Sequence, residues 1–239
     1  CQNNPPAQSG ATARLSFLVI PARFARFSRM QAAEAQLKVD VLVVGAGPAG
    51  LACAIRLARA GKGQRQIMVL EKSAQLGGHL LSGAVMRPQA LQHLLMPDEY
   101  AALPIGPLVT RDTFHALLPK GAIRVPFVPP KMRMRGLPLV SLAQLGSALG
   151  DIATKLGVEI LTSQTADALL WEGDRVSGVR TLDDPILADT TVLAEGPAGL
   201  LTKAVLARHP QLAGPNLHTY ALGIKEIVEV PANPALVGT

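Results

Sequence analysis

The sequence predicts an α/β fold: a doubly wound, Rossmann-like domain with an antiparallel β insert and the start of a second, incomplete domain. Three observations carry this. The run Val39-Asp40-Val41-Leu42-Val43-Val44 is almost wholly apolar and rich in β-branched residues, and it breaks at Gly45, as a strand buried on both faces of a parallel sheet does. Behind it, Ala49–Ala60 is rich in Ala and Leu with Arg56 and Arg59 interspersed, which predicts a helix. Ile67-Met68-Val69-Leu70 is a second short apolar run, and the acid Glu71 follows it directly.

Strand, glycine turn, helix and strand together make a dinucleotide fingerprint. Gly45 permits the tight turn, Gly47 lets the backbone approach a pyrophosphate, and Gly50 lets helix and strand pack closely. The pyrophosphate is expected at Gly47, Pro48 and Ala49, on the N–H groups and positive dipole end of the helix. Glu71 lies 21 residues after Gly50, the distance at which a carboxylate accepts the hydroxyls of an adenosine ribose. An acid rather than an Arg here argues against a 2′-phosphate.

Composition bounds what else the chain can do. Its 239 residues are 49% hydrophobic, enough for one large or two small cores. No run of 18 apolar residues is free of charge or proline, so no transmembrane helix is expected. Cys1 and Cys53 are the only cysteines, which excludes a four-thiolate metal or cluster site made by this chain alone. Cys53 falls on the first helix and is expected to be a small core residue. The net charge is +6 with aromatics at 3%. No basic block carries interleaved aromatics, so nucleic acid is not an expected partner. A solvated basic face is the default reading, with an anionic membrane or acidic partner as the other.

The segments follow in order. Residues 1–33 carry Arg14, Arg23, Arg26 and Arg29 with no acid before Glu34. This composition fits a mitochondrial transit segment and equally a disordered or partner-bound arm; the arm is taken as 1–37. After Glu71, the pair Gly77-Gly78 suits a chain passing close to a flat ligand. His79 has no carboxylate partner evident in the sequence and reads as a structural or cofactor-adjacent group. Residues 85–140, with prolines at 88, 97, 104, 107, 119, 126, 129, 130 and 138, read as irregular. Within them, the apolar loop 122–130 and then Lys131, Arg133 and Arg135 fit either a buried crossover or a tip resting on a bilayer.

Apolar residues at 142, 145, 149, 152, 153 and 156 predict a helix over Ser141–Leu156, ended by Gly157. Val158–Leu161 follows as a strand in or beside the sheet of Val41–Val44. Thr165–Trp171 and Arg175–Thr181 flank Glu172-Gly173-Asp174 as a hairpin. Ile186–Asp189 is expected to add a third antiparallel strand, and Thr190–Ala194 a separate buried strand leading to the helix Leu200–Ala207. Thr219–Val230 reads as the first strand of another sheet.

With these elements in place, the chain resembles the N-terminal part of the electron-transfer flavoprotein–ubiquinone oxidoreductases, over about Val39 to Val230. The resemblance rests on Val41-Leu42-Val43-Val44-Gly45-Ala46-Gly47-Pro48-Ala49-Gly50-Leu51, on Leu70-Glu71-Lys72-Ser73-Ala74-Gln75-Leu76-Gly77 and on Leu81-Ser82-Gly83-Ala84. Further on it includes Pro107-Leu108-Val109-Thr110, Leu156-Gly157-Val158-Glu159, Ala194-Glu195-Gly196 and Thr219-Tyr220-Ala221-Leu222-Gly223-Ile224-Lys225-Glu226.

The resemblance implies a glutathione-reductase-like FAD domain, residues 38–84 and 141–207, and a partial quinone domain, residues 85–140 and 208–239. It implies FAD with ADP on the first βαβ unit at Gly45, Gly47, Pro48, Ala49, Gly50, Glu71 and Lys72. The isoalloxazine is then expected near Gly78, Ser82 and Gly83, the adenine beside the main chain of Ala166–Ala168, and the ribityl–pyrophosphate side by Gly196. It also implies ubiquinone and the matrix face of the inner mitochondrial membrane as surroundings, with loop 122–135 facing the bilayer. The [4Fe–4S] cluster of the family cannot form within this chain. Pro197-Ala198-Gly199 replaces a more polar stretch of the family.

Three functions follow as expectations. The first is the FAD-binding part of an oxidoreductase passing electrons towards ubiquinone, with no general base required. The second is a non-catalytic accessory subunit of a respiratory-chain complex, partners covering the strand edge near Val230. The third is an NAD-linked or other flavin reductase, which the fingerprint alone permits. The chain by itself is not expected to oxidise electron-transfer flavoprotein.

Overall fold

The computed structural model describes residues 37–80, 83–197, 199–214, 229, 231–233 and 237. The chain runs β1 (Lys38–Val44), α1 (Pro48–Gly61), β2 (Ile67–Leu70), β3 (Ala84–Val85), α2 (Gln89–Leu94), α3 (Pro97–Ala101) and β4 (Ile105–Leu108). It continues through β5 (Phe114–Leu118), β6 (Gly121–Val125), β7 (Pro138–Val140), α4 (Leu142–Lys155), β8 (Glu159–Leu161), β9 (Ala166–Glu172), β10 (Arg175–Thr181), β11 (Ile186–Leu193) and α5 (Leu200–Arg208).

Six strands form the main sheet in the order β8-β2-β1-β11-β10-β9. β8, β2, β1 and β11 are parallel, whereas β11, β10 and β9 pair antiparallel. The apolar runs are continuous because both faces of the parallel strands are buried. Val41, Val43, Ile67 and Val69 pack with Leu51, Ala54 and Ile55 of α1 and Leu145, Leu149 and Ile152 of α4. Leu42, Val44, Met68 and Leu70 point the other way, onto Leu169, Val179, Ile186 and Leu201 from β9, β10, β11 and α5. The parallel part of the sheet is thus covered by α1 and α4 on one face, and on the other by α5 and by residues of β9, β10 and β11, which continue the same sheet. α1 buries Leu51, Ala54, Ile55 and Ala58, the i, i+3, i+4, i+7 stripe of a core-facing helix.

Several expectations are met. α1, β2, α4, β8, the β9–β10 hairpin and α5 lie where the sequence put them, and β8 joins the sheet of β1 through β2. Three differ. Ile186–Leu193 is one strand rather than two: it pairs antiparallel with β10 at Ile186 and Leu187, then parallel with β1 from Leu187 to Leu193. The exposed Asp189 and Thr190 suggested a break, but Asp189 is held by Lys38 of β1 at 2.9 Å, and the backbone stays extended while it changes partner.

Residues 85–140 are not irregular. β3, β7 and β4 form a three-stranded antiparallel sheet, and β5 and β6 a hairpin. The prolines sit where strands and helices tolerate them: Pro97 at the start of α3, Pro138 at the start of β7 and Pro107 on the edge strand β4. Cys53, expected in the core, is only half-buried. The expected strand Thr219–Val230 and the arm 1–36 lie outside the described residues, Glu229 and Leu37 aside.

Candidate functional site

The turn from β1 into α1 is built by glycines of two kinds. Gly45 has φ +106°, its N–H donates to the Leu70 carbonyl at 2.8 Å, and a Cβ on it would lie 2.5 Å from the Ala194 oxygen. A Cβ on Gly50 would lie 2.0 Å from the Gly45 oxygen. Both are demanded by the fold itself, because backbone occupies the space a side chain would need. Gly47 is different: its φ is an ordinary −72°, and no protein atom lies within 4 Å of the position of its Cβ. Nothing in the chain requires a glycine there, whereas a close-approaching ligand would.

Gly47 is also the N-cap of α1, extended and without any side-chain hydrogen bond, followed by Pro48, and the first turn has no acid. The other long helices are treated differently. Ser141 Oγ accepts from Gln144 N at the start of α4. At α5, Glu195 Oε1 accepts from Leu201 N at 3.0 Å and Oε2 from Thr202 N at 2.8 Å and Thr202 Oγ1 at 2.9 Å. The start of α1 keeps its positive dipole end clear of side chains, the arrangement that suits an anion.

Glu71 lies at the end of β2 with its side chain 13% exposed. Its Oε2 accepts from Ala46 N at 2.9 Å and its Oε1 from Ser73 N at 2.8 Å. The carboxylate thus ties the glycine turn to β2, a role the sequence reading did not give it. A carboxylate has about four lone-pair positions, so each oxygen retains one for a further donor. His79 Nδ1 stands 4.0 Å from Oε1. The sequence left His79 without a partner because the fold-back that brings it to Glu71 runs through Gly77, whose φ is +81°.

The remaining expected residues are distributed around this centre. Pro48 and Ala49 form the first turn of α1, and Lys72 is exposed beside Glu71. The Gly77-Gly78 pair has a structural cause. A Cβ on Gly77 would come within 2.3 Å of the Ala143 oxygen in α4, and one on Gly78 within 2.4 Å of Ser73 Oγ. α4 answers with Gly146 and Gly150, where Cβ atoms would meet Leu80 and Leu76 at 3.0 and 2.2 Å. Close packing on α4 gives Gly77 a structural cause, and the contact with Ser73 inside the loop gives one to Gly78.

Gly83 and Gly196 have φ +76° and +75° in open surroundings. Gly196 follows β11 directly after Glu195, near Gly45 through Ala194. Ala168 pairs with Arg180 within β9–β10; the segment beside Glu71 is Gln164, four residues earlier, whose N–H donates to the Glu71 carbonyl at 2.9 Å. Ser82 lies outside the described residues. Glu195, the cap of α5, was missed: it lies outside the fingerprint, and only its place just before a helix could have signalled it. Among the described residues no group of three or more His, Cys, Asp or Glu side chains is placed to hold a metal ion.

Comparison with known proteins bears on the fold that carries this geometry. Residues 43–97 match the NAD(P)-binding Rossmann-like domain. The probable electron transfer flavoprotein-ubiquinone oxidoreductase of Saccharomyces cerevisiae is 40% identical over 220 residues, 80% of this chain and 34% of that protein. The mitochondrial electron transfer flavoprotein-ubiquinone oxidoreductases of Mus musculus and Homo sapiens are 36% and 35% identical, again over 80% of this chain and 34% of each. The chain spans about a third of the length of these curated relatives.

Among solved structures, the FAD-dependent halogenase CndH is 21% identical over 70% of this chain and 39% of its own, with a TM-score of 0.52. CtdE, solved in complex with FAD, is 20% identical over 71% of this chain and 40% of its own, also at 0.52. These likenesses show the fold. Over four-fifths of its length, the chain is a relative of the electron transfer flavoprotein-ubiquinone oxidoreductases, built on a fold that FAD-dependent enzymes share.

Proposed function

We propose that the chain binds FAD and serves as the FAD-binding part of an oxidoreductase of the electron-transfer flavoprotein–ubiquinone type. The observation that carries the reading is the uncapped start of α1 beside Gly47, where the protein leaves open the space that a Cβ would fill. The diphosphate is assigned to Gly47, Pro48 and Ala49, and the adenosine ribose to the two lone-pair positions that Glu71 keeps. Lys72, Gly78, Ser82, Gly83, Ala168 and Gly196 are assigned as further contacts on the strength of the resemblance. When bound, FAD supplies the electron-transfer chemistry; the residues named here hold and orient it.

In this reading residues 38–84 and 141–207 form the nucleotide domain, and 85–140 and 208–239 part of a substrate domain. Ubiquinone as acceptor and a mitochondrial location draw on the names of the relatives; the matrix face of the inner membrane is assigned on the strength of the resemblance alone. A peripheral membrane position is supported by the β5–β6 hairpin and the loop after it, where Leu117 is 83% and Phe127 64% exposed among His115, Arg124 and Lys131. Among the described residues no helix is long and apolar enough to cross a membrane. The alternative of a non-catalytic accessory subunit draws on the strand near Val230, which lies outside the described residues.

The test is FAD binding by the purified chain, followed by quenching of flavin fluorescence. The wild type is expected to bind and Gly47→Val to lose binding while keeping its circular dichroism. Equal binding by the two proteins would sink the assignment of the diphosphate.

A further inference from the structure

We infer that His79 is a proton-dependent competitor for the ribose carboxylate, so that nucleotide affinity falls when its imidazole is protonated. The inference rests on the assignment of the ribose to Glu71 proposed above. Ala46 N occupies one acceptor position on Oε2 and Ser73 N one on Oε1, which leaves about one on each oxygen. A ribose diol needs both. His79 Nδ1 stands 4.0 Å from Oε1, and its side chain is 59% exposed, so more than half of the ring's surface is open to movement. Protonated, it carries a donor at Nδ1 and a positive charge, and a charge-assisted bond to Oε1 is stronger than a neutral one. That bond takes the position one ribose hydroxyl would use. Neutral, the ring loses the charge, and the diol has the carboxylate to itself.

Few other charges act on His79. Lys72 belongs to the same loop. α4, which packs on the loop through Ala143 and Gly146, carries no charged residue before Asp151. The crossing 162–165, bonded to the loop through Ser163 N and the Ser73 carbonyl, brings Asp183, whose Oδ2 is taken by Gln164 Nε2 at 2.8 Å. Glu71 is the carboxylate within ion-pair range among the described residues.

The experiment titrates FAD into the full chain at pH 7.5 and pH 5.5, for the wild type and His79→Gln. The wild type is expected to bind about two- to fivefold more weakly at pH 5.5, the range of a partly exposed ion pair. His79→Gln is expected to bind equally at both. A wild-type affinity that is flat or rises at pH 5.5, or a loss that persists in His79→Gln, overturns the inference. A second measurement follows the His79 ring by NMR without nucleotide. Its Nδ1 resonance at pH 5.5 is expected to differ between the wild type and Glu71→Gln, and no difference means that no pair exists, which overturns the inference whatever the flavin does. If the pair is present but FAD binds at neither pH, the nucleotide assignment itself has failed, and the inference with it.

Discussion

The two kinds of glycine in the turn separate folding from binding, and a pair of alanine substitutions reads each alone. Gly50→Ala puts a Cβ 2.0 Å from the Gly45 oxygen and 3.2 Å from Ala194 Cβ. Van der Waals contact would need well over 1 Å more, and the obstacle is backbone, so α1 must move off β1. Such overpacking costs about 1–3 kcal/mol, and each 1 kcal/mol lowers Tm by about 2–4 °C in a fold of this size. Gly47→Ala meets no atom within 4 Å at an ordinary φ of −72°. It gains about 0.4–1 kcal/mol from the stiffer unfolded chain and loses a comparable amount because alanine is a poor N-cap. Its stability is therefore expected within about 0.5 kcal/mol of the wild type.

Flavin affinity should move in the opposite sense. A methyl at Gly47 stands between the diphosphate and the N–H groups of α1, and a loss of about tenfold or more, roughly 1.4 kcal/mol, is expected. Urea unfolding gives the stabilities and fluorescence quenching the dissociation constants. Gly47→Ala that is as stable as the wild type and binds FAD equally well would refute the cradle. Gly50→Ala with an unchanged unfolding midpoint would refute the packing argument.

Three further outcomes follow from named contacts. Glu71→Ala leaves the N–H groups of Ala46 and Ser73 without their acceptor; a loss of about 1–3 kcal/mol in unfolding free energy is expected, together with weaker FAD binding. Burial works against the charge of Glu99, but its bonds to Arg59 and to Met96 N outweigh burial and hold its carboxyl below the usual range. The stability this gives is full above the ordinary glutamate pKa and is lost as pH falls through the lower folded value. Acid unfolding of Arg59→Met should accordingly show a smaller stability loss below about pH 4.3 than the wild type. Leu117→Asp with Phe127→Asp should reduce co-sedimentation with vesicles of cardiolipin and phosphatidylcholine at unchanged circular dichroism, and undiminished sedimentation would refute the membrane reading.

What was legible in the sequence is what local pattern determines. β1 and β2 could be read because burial on both faces makes Val41–Val44 and Ile67–Leu70 wholly apolar. α1 and α4 could be read because each buries one stripe. The start of α1 and Glu71 were found through the spacing of the fingerprint. What escaped depends on residues distant in sequence. Asp189 and Thr190 looked like a break because their neighbours across β1 were unknown. The prolines of 85–140 looked like interruptions because nothing local marks β4 as an edge strand. The close approach of Gly77 to the backbone of α4 at Ala143 could not be read either, because the two lie far apart in sequence.

The placement of Glu195 adds to the argument for the site. β1 and β11 are parallel neighbours, and each hands its chain to a helix, α1 after Val44 and α5 after Leu193. Two helix starts therefore follow adjacent strands, and each presents the equivalent of about half a positive charge. The chain satisfies the second itself: the Glu195 carboxylate receives Leu201 N, Thr202 N and Thr202 Oγ1, a geometry that leaves an external anion little to gain there. It does not satisfy the first. Glu71, whose carboxylate lies beside this turn, bonds to Ala46 N and Ser73 N rather than to the first turn of α1. A full carboxylate on α5 and none on α1 makes the start of α1 the more favourable of the two positions for a diphosphate. On the proposed assignment of the diphosphate, Glu195 helps to specify the site by closing the competing helix start beside it.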